Sequence, residues 1–232
     1  MPKKWSGGTA KILFNSTNTR AFNFLYGTCA TLLNVASTDA QDTVIIFTNG
    51  IASTPRFELY ITNTGKFFGW TDGTTFTTSS IAVPMAETCF LAATKDTGTV
   101  APRFHMYRPS TGVWTHVAGG TTNVDSAATT SFQIADGATF GLLADVWQLG
   151  MWSQRAMTDS EIERLMQVPQ LDWRRFDAEV MIRFDNTYES ALDLVRTHGR
   201  RDVRQTTRTG TTTKSVLTFP GGHGTLAVSR RK

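Results

Sequence analysis

Residues 145–166 read DVWQLGMWSQRAMTDSEIERLM, and this stretch decides the fold of the chain. Its first half has the alternation of a β-strand and is apolar on nearly both faces. One predicted face holds Val146, Gln148, Gly150 and Trp152, and the other holds Trp147, Leu149 and Met151. A strand that is apolar on both faces is covered on both sides, so we expect it to lie centrally in a sheet.

The second half of the stretch predicts one short helix. Thr158 and Glu161 have the spacing of a capping box, in which each side chain bonds the other residue's backbone N–H group. Apolar side chains then recur at helical spacing, at Ile162, Leu165 and Met166, and Pro169 ends the helix. This apolar stripe is predicted to pack against the sheet.

The composition favours an all-β protein. Charged residues make up 18% of the chain, whereas 38 of its 232 residues are threonine, which covers a sheet surface without charge. Fifteen phenylalanines and six tryptophans can fill the space between two sheets. The sequence has no run of 18 apolar residues and no apolar segment behind its first lysines, so we expect no membrane insertion and no secretory signal.

The strands before residue 145 carry a family resemblance. Runs separated by turn signals such as Asn49-Gly50 are typical of a sandwich. FELYIT from Phe57, RFHMYR from Arg103 and the strand–helix segment 146–162 together resemble laminin-G-like, concanavalin A-like domains. The resemblance covers about residues 10–166 and implies an all-β, two-sheet antiparallel jelly-roll sandwich with one short helix.

The charge distribution separates the end of the chain from the rest. Residues 1–172 carry 11 Lys+Arg against 13 Asp+Glu, whereas residues 173–232 carry 12 against 6. We therefore predict an N-terminal arm over 1–9, a laminin-G-like sandwich over 10–169, and a C-terminal extension over 170–232. This extension is expected to pack on the sandwich and to reach neighbouring subunits.

The sequence contains no recognised catalytic or metal-binding motif. Its histidines are His105, His116, His198 and His223, and none has another histidine or a cysteine at i+2 or i+4. Cys29 and Cys89 lack metal-ligand spacing and are expected to be two free, buried thiols. Nucleophile-elbow, P-loop and dinucleotide motifs are missing as well. These observations predict no enzymatic activity, no cofactor and no metal.

Two sets of residues are candidates for binding. Aromatic rings with neighbouring polar groups can hold a sugar, which gives a carbohydrate-binding hypothesis for Asn63, Trp70, Asp72 and Trp114. The alternative for both tryptophans is a place in the core. A basic cluster can contact phosphates, an acidic protein surface or only solvent, and it comprises Arg196, Arg200, Arg201, Arg204 and Arg208. No aromatic residue interrupts that cluster, so we expect assembly contacts rather than nucleic-acid binding.

The resemblance also extends to a class of proteins. Threonine-rich, sparsely charged laminin-G-like sandwiches with terminal extensions are similar to bacteriophage virion proteins, such as minor tail proteins and capsid decoration proteins. The resemblance implies a non-enzymatic structural protein of the virion, with copies of itself and other virion proteins as partners. The alternative is a carbohydrate-binding module or host-surface adhesin that binds a host glycan, and a glycan hydrolase ranks third.

Overall fold

The structure is a computed structural model. It describes residues 3–6, 11–15, 25–36, 43–49, 55–125, 131–134, 143–167, 173–176, 178, 180–184, 191–195, 205–209 and 216–218. Its described side chains lie mainly within 25–36, 58–125 and 144–167. No helix among these residues is long and apolar enough to span a membrane.

The described part of the chain is built from strands, one α-helix and one short 3₁₀ helix. The strands are β1 (Lys3–Ser6), β2 (Lys11–Asn15), β3 (Gly27–Val35), β4 (Thr43–Asn49), β5 (Pro55–Ile61), β6 (Phe67–Thr71), β7 (Phe76–Ala82), β8 (Thr88–Lys95), β9 (Arg103–Arg108), β10 (Val113–Ala118), β11 (Ser131–Ile134), β12 (Leu143–Ser153), β13 (Val180–Phe184), β14 (Ala191–Val195), β15 (Gln205–Thr209) and β16 (Val216–Thr218). The α-helix is α1 (Asp159–Gln167), and the 3₁₀ helix is Trp173–Phe176.

These strands form two antiparallel sheets. Sheet A has the order β10-β9-β8-β3-β12-β13-β14, and β1 also pairs with β12. Sheet B has the order β16-β15-β2-β11-β4-β5-β6-β7. The protein is therefore an all-β, two-sheet antiparallel jelly-roll sandwich with one short α-helix, as the sequence predicts.

β12 lies in the middle of sheet A, as predicted, but its two predicted faces are wrong at Val146 and at Trp147. It pairs with β3 along one side, and with β1 and then β13 along the other. Its register on β3 shifts between Val146 and Gln148, so Trp147 is an extra residue in a β-bulge. Val146 consequently lies between the sheets with Leu149, while Gln148 pairs with Leu32 of the opposite face. A strictly alternating strand pattern cannot predict that a bulge moves the residues before it to the opposite face of the sheet.

Two apolar clusters hold the sandwich together. The first fills the space between the sheets, where Phe68 of sheet B and Phe104 of sheet A meet edge to face at 5.4 Å. The second lies on the outer face of sheet A and is covered by α1 through Ile162 and Leu165, with Trp152 and Trp173 among its members. Cys29 and Cys89 are free and buried in the first cluster, which confirms the prediction for both thiols.

Strands from both ends of the chain pair within the sheets. β1 lies in the segment that was predicted to be an arm, and it pairs with β12. β13 and β14 continue sheet A beyond β12, whereas β15 and β16 continue sheet B beyond β2. The division into arm, sandwich and extension remains a prediction.

Candidate functional site

Helix α1 brings two carboxylates to the outer face of sheet A. Its first turn is fixed by the predicted capping box, because Glu161 N–H donates to Thr158 Oγ1 at 3.3 Å and Thr158 N–H donates to Glu161 Oε2 at 2.9 Å. Asp159 and Glu163 are four residues apart and so occupy the same side of the helix. Both carboxylates contact the hairpin formed by β9 and β10.

This hairpin places two histidines side by side. His105 and His116 are directly paired in the register of β9 and β10. Their Nδ1 atoms are 2.8 Å apart, and the two rings meet edge to face at 5.1 Å. His105 is completely buried, and His116 is partly buried. The pair lies beside α1 on the face of sheet A that the helix covers.

Each imidazole has a second polar neighbour on its other nitrogen. His105 Nε2 lies 3.3 Å from Thr94 Oγ1, and His116 Nε2 lies 3.0 Å from Glu163 Oε1. The distances allow one continuous chain in which the Thr94 hydroxyl donates to His105, His105 to His116, and His116 to Glu163. Neutral imidazoles satisfy this chain without an unpaired nitrogen.

Asp159 approaches the histidine pair from the start of α1. Its Oδ1 atom is 3.7 Å from His105 Nδ1. Arg103 donates from Nε to Oδ1 at 3.1 Å and from Nη2 to Oδ2 at 2.5 Å, which orients the carboxylate. Burial raises the pKa of Asp159, but the hydrogen bonds from Arg103 outweigh it and leave that pKa below its usual range.

The pKa of His105 is strongly displaced. Burial, followed by the proximity of His116, lowers it to about 4, and the Asp159 charge offsets only part of this shift. His105 is therefore a neutral imidazole near pH 7. A neutral ring can accept a proton, donate one hydrogen bond or bind a metal ion.

A surface cavity borders this cluster. It measures about 540 Å³ and lies between the loop after β8, the beginning of β9 and the beginning of α1. Its lining combines polar and apolar side chains, namely Thr94, Asp96, Val100, Ala101, Arg103, Ala156, Met157, Thr158, Asp159 and Ser160. Three of these residues, Thr94, Arg103 and Asp159, also contact the histidine cluster or one another.

A buried lysine holds one wall of the cavity. The Lys95 side chain is 0% exposed, and its Nζ donates to Asp125 Oδ1 at 2.8 Å, to Gly98 O at 2.8 Å and to Asp96 O at 3.0 Å. Asp125 also accepts from the Gly98 N–H group at 2.9 Å. These hydrogen bonds tie the loop that carries Asp96 to the buried Lys95 and to Asp125.

The predicted sugar-binding residues do not form one site. Trp70 is 0% exposed and belongs to the core between the sheets, so the prediction that it stacks on a sugar is wrong. Asn63 is exposed in the turn between β5 and β6 of sheet B, whereas Trp114 lies on β10 of sheet A. The sequence predicted the strands that contain Trp70 and Trp114. It could not predict which face of its sheet each tryptophan occupies.

Trp114 is part of an aromatic row on sheet A. Its ring stacks on His116 at 5.4 Å with an interplanar angle of 8°, and it lies 4.8 Å from the Tyr107 ring. Phe90 meets it edge to face at 5.7 Å. Trp114 is half-buried by these contacts and supports the histidine pair.

Asp72 organises two loops, which corrects its assignment to a sugar site. Its Oδ1 accepts from the N–H groups of Thr74 and Thr75 at 2.8 and 2.7 Å, and its Oδ2 accepts from Val124 N–H at 2.9 Å and from Asn123 Nδ2 at 3.2 Å. Burial raises the pKa of Asp72, but these hydrogen bonds outweigh it and lower that pKa overall. Asp72 is 5% exposed, and its carboxylate oxygens are already hydrogen-bonded within the protein.

The basic cluster falls largely outside the described residues. Arg196, Arg200, Arg201 and Arg204 are not among them. Arg208 lies in β15, where its backbone is paired with Ile12 of β2. The predicted assembly contacts of these arginines remain a prediction.

The histidine cluster was missed because the sequence was searched only for short ligand spacings. His105 and His116 are eleven residues apart, but the predicted strands and the turn Pro109-Ser-Thr-Gly112 already define their pairing. If Arg108 pairs with Val113, then His105 must pair with His116. The two carboxylates of α1 could not be assigned in this way, since their approach depends on how the helix returns to the sheet.

Comparisons with known proteins find similarity only at the level of structure. No protein-family model matches the chain, and no curated protein matches it either. A native heptameric SAP-like pentraxin from Limulus polyphemus matches with a TM-score of 0.44 and 10% identity, over 68% of this chain and 82% of the pentraxin. A Trypanosoma rangeli sialidase matches with a TM-score of 0.49 and 12% identity, over 71% of this chain and 27% of the sialidase. Scytalido-glutamic peptidase matches with a TM-score of 0.36 and 14% identity, over 67% of this chain and 83% of the peptidase.

These matches correct one prediction. The expectation that the chain is not an enzyme is contradicted, because the similar solved structures include a sialidase and a glutamic peptidase. At 12% and 14% identity the likenesses concern the fold and assign no reaction to this chain. The sequence-based exclusion of catalysis is therefore withdrawn.

Proposed function

We propose that this chain is a glycan-recognition module whose ligand occupies the cavity beside α1, and that it serves on a bacteriophage virion. The observation that carries the first part is the cavity itself. Its volume of about 540 Å³ lies within the range of roughly 300–1,000 Å³ that is usual for small-molecule sites. Its lining has the mixed chemistry that a sugar ring requires.

Sugar hydroxyls both donate and accept hydrogen bonds, so a glycan site needs both kinds of partner. In this cavity Asp96 and Asp159 supply acceptors, Arg103 supplies donors, and Ser160 supplies a hydroxyl that does both. Apolar side chains from the loop after β8 and from the residues just before α1 can pack against the C–H face of a sugar ring. Because Arg103 and Asp159 already form an ion pair, a neutral sugar is favoured over a charged one.

The rigidity of the cavity supports binding without a large ordering penalty. Lys95 and Asp125 hold the loop on one side, and the capping box of Thr158 and Glu161 holds the helix start on the other. A site that is formed before the ligand arrives loses little conformational freedom on binding.

A glycan array followed by calorimetric titration of the best ligand tests this proposal. Asp96→Asn and Ser160→Trp change the cavity, the first by removing a charge and the second by filling space at the rim. We expect the first to weaken binding about tenfold, the effect of one lost charged hydrogen bond of roughly 1.5 kcal/mol, and the second to abolish it.

Asn63→Ala is the matched control, because Asn63 is exposed in a turn of the other sheet. Its glycan affinity should equal that of the parent chain. Binding that survives Ser160→Trp but is lost in Asn63→Ala would overturn the cavity proposal in favour of the sugar site predicted from sequence. The absence of any bound glycan would overturn glycan recognition altogether.

The virion part of the proposal rests on composition and resemblance. The threonine-rich, sparsely charged sequence and the basic segment after residue 172 support a minor tail or capsid decoration protein that contacts other virion proteins and its own copies. On a virion, a glycan-binding module serves as a host-surface adhesin. The localisation that follows is the virion, after synthesis in the host cytoplasm.

The assembly contacts are best tested with point substitutions rather than deletion. β15 and β16 pair within sheet B, so removing residues 196–232 would expose the edge of β2. Replacing Arg196, Arg200, Arg201 and Arg204 by glutamine removes the charge and keeps those strands. We expect saturable binding of the chain to tails or capsids to disappear.

Replacing Lys214, Arg230, Arg231 and Lys232 by glutamine is the matched control for charge, because it removes four positive charges from the same segment outside the cluster. This variant should bind tails or capsids normally. Normal binding by the four-arginine variant, or no saturable binding by the parent chain, would contradict the assembly role.

A further inference from the structure

The histidine cluster brings together three side chains that can bind a metal ion. Three ligand atoms, one each from His105, His116 and Asp159, lie within 4.8 Å of one another. The two Nδ1 atoms are 2.8 Å apart, and His105 Nδ1 is 3.7 Å from Asp159 Oδ1. Zinc binds nitrogen and oxygen at about 2.0–2.2 Å, so neighbouring ligand atoms around a tetrahedral ion are about 3.4 Å apart. The two observed separations lie on either side of that value.

Each potential ligand also has a hydrogen-bonding neighbour that orients its side chain. His116 Nε2 faces Glu163 Oε1 at 3.0 Å, and His105 Nε2 faces Thr94 Oγ1 at 3.3 Å. Arg103 binds both oxygens of Asp159, so an ion at Oδ1 would replace the Nε contact while the contact from Nη2 to Oδ2 remains. Metal-bound histidines almost always donate their other N–H group to such a carboxylate or oxygen, and ligating carboxylates are themselves hydrogen-bonded.

The donor set selects the class of ion. Imidazole nitrogens suit zinc, cobalt, nickel and copper, whereas calcium and magnesium take oxygen ligands. Two imidazoles and one carboxylate are three protein ligands, the number that zinc has when its fourth position is open to water or another ligand. Asp159 also lines the cavity, so one of the three ligands is reached from it.

We propose that His105 Nδ1, His116 Nδ1 and a carboxylate oxygen of Asp159 bind one divalent transition-metal ion of the zinc class. Binding replaces the direct contact between the two Nδ1 atoms. His105 then carries its proton on Nε2 and donates it to Thr94 Oγ1, while His116 continues to donate to Glu163. The metal site shares Asp159 with the lining of the proposed glycan cavity, but metal binding needs no sugar and is therefore tested separately.

Titration of the full chain with cobalt and zinc, without any sugar, tests this site. Four-coordinate cobalt absorbs visible light more strongly than six-coordinate, hydrated cobalt, so the absorption reports coordination by the protein. Calorimetry reports stoichiometry and affinity. We expect one ion per chain and displacement of cobalt by zinc. Glu163→Gln should weaken binding by about 10- to 100-fold, the usual effect of removing a group that orients a ligand.

Substitution of the ligands should have a larger effect than substitution of Glu163. His116→Gln and Asp159→Asn remove one ligand each, and near-ultraviolet circular dichroism verifies that both variants are folded. His105 is completely buried, whereas His116 and Asp159 are partly exposed and therefore safer to change. We expect both variants to lose the cobalt absorption.

The matched control changes the other two histidines of the chain, as His198→Gln together with His223→Gln. That variant should bind cobalt and zinc like the parent chain. Three results would overturn the proposal: no stoichiometric binding by the parent chain, unchanged binding by folded His116→Gln, or loss of binding in the control variant.

Discussion

The substitution Gly150→Ala tests a crowded contact on the outer face of the central strand β12. A Cβ atom at this position would lie 2.7 Å from Trp173 Cε3 and 2.8 Å from Trp152 Cη2. Carbon atoms in contact normally lie about 3.5–4.0 Å apart. Both indoles are buried, at 1% exposure for Trp152 and 0% for Trp173. The new methyl group therefore has no empty space to occupy.

Neither tryptophan can turn aside freely. Trp152 Nε1 donates to Phe176 O at 2.8 Å, and Trp173 Nε1 donates to Leu165 O at 3.0 Å. Overpacking a core costs about 1–3 kcal/mol, and loss of one of these hydrogen bonds adds about 1 kcal/mol. We expect Gly150→Ala to lower the free energy of unfolding by about 2–4 kcal/mol, which lowers the Tm by roughly 4–16 °C for a chain of this size.

Urea and thermal unfolding measure this effect, with Gly120→Ala as the control. No atom lies within 4 Å of a Cβ added at Gly120, so this substitution should change stability by less than about 0.5 kcal/mol. A double-mutant cycle with Trp173→Leu identifies the clashing ring, because Gly150→Ala should be less harmful once that ring is removed. If Gly150→Ala is as mild as Gly120→Ala, or equally harmful in both backgrounds, the packing described for Trp173 is refuted.

Three further predictions concern polar contacts. Thr158→Ala removes the N-cap of α1 and should destabilise the protein by about 1 kcal/mol in urea unfolding, and an unchanged midpoint would contradict the cap. Lys95→Met keeps the aliphatic stem but removes the contact with Asp125. We expect the free energy of unfolding to fall by about 1–3 kcal/mol and proteolysis at the cavity loop to become faster. Unaltered proteolysis would mean that Lys95 does not hold this loop. The folded-state pKa of Asp72 is lowered, so its stabilisation is present above the pKa of the unfolded chain and is lost as the pH falls through the folded value. When the pH is lowered from neutral to acidic, Asp72→Asn should therefore lose less stability than the parent chain, as measured by unfolding at each pH. Equal losses in the two proteins would contradict the hydrogen bonds assigned to Asp72.

The fold could be predicted from sequence where one local pattern determines the structure. The capping box at Thr158 and the apolar stripe of α1 involve residues within a few positions of each other, and both were predicted correctly. The face of Val146 was predicted wrongly because the bulge at Trp147 depends on how β3 pairs beside it. Trp70 was ambiguous for a similar reason, since a strand pattern does not say which face meets the other sheet.

The candidate site was less predictable because its parts come from distant segments. The pairing of His105 with His116 follows from one hairpin and was within reach of the sequence. The approach of Asp159 and Glu163 depends on the packing of α1 over sheet A, which joins residues about fifty positions apart. Cavity residues such as Asp96 are positioned by the buried contacts of Lys95, and no sequence motif records those contacts.

The pairing of strands from opposite ends of the chain has a consequence for the order of folding. The β4–β7 and β8–β10 meanders join strands that follow one another closely, so each can form while the ribosome is still extending the chain. β2 lies between β11 and β15, and its pairing with β15 joins Lys11 to Thr209. Closing such long loops slows folding. We therefore expect the two meanders to form early, while β2 obtains its last neighbour only after residues 205–209 have been synthesised.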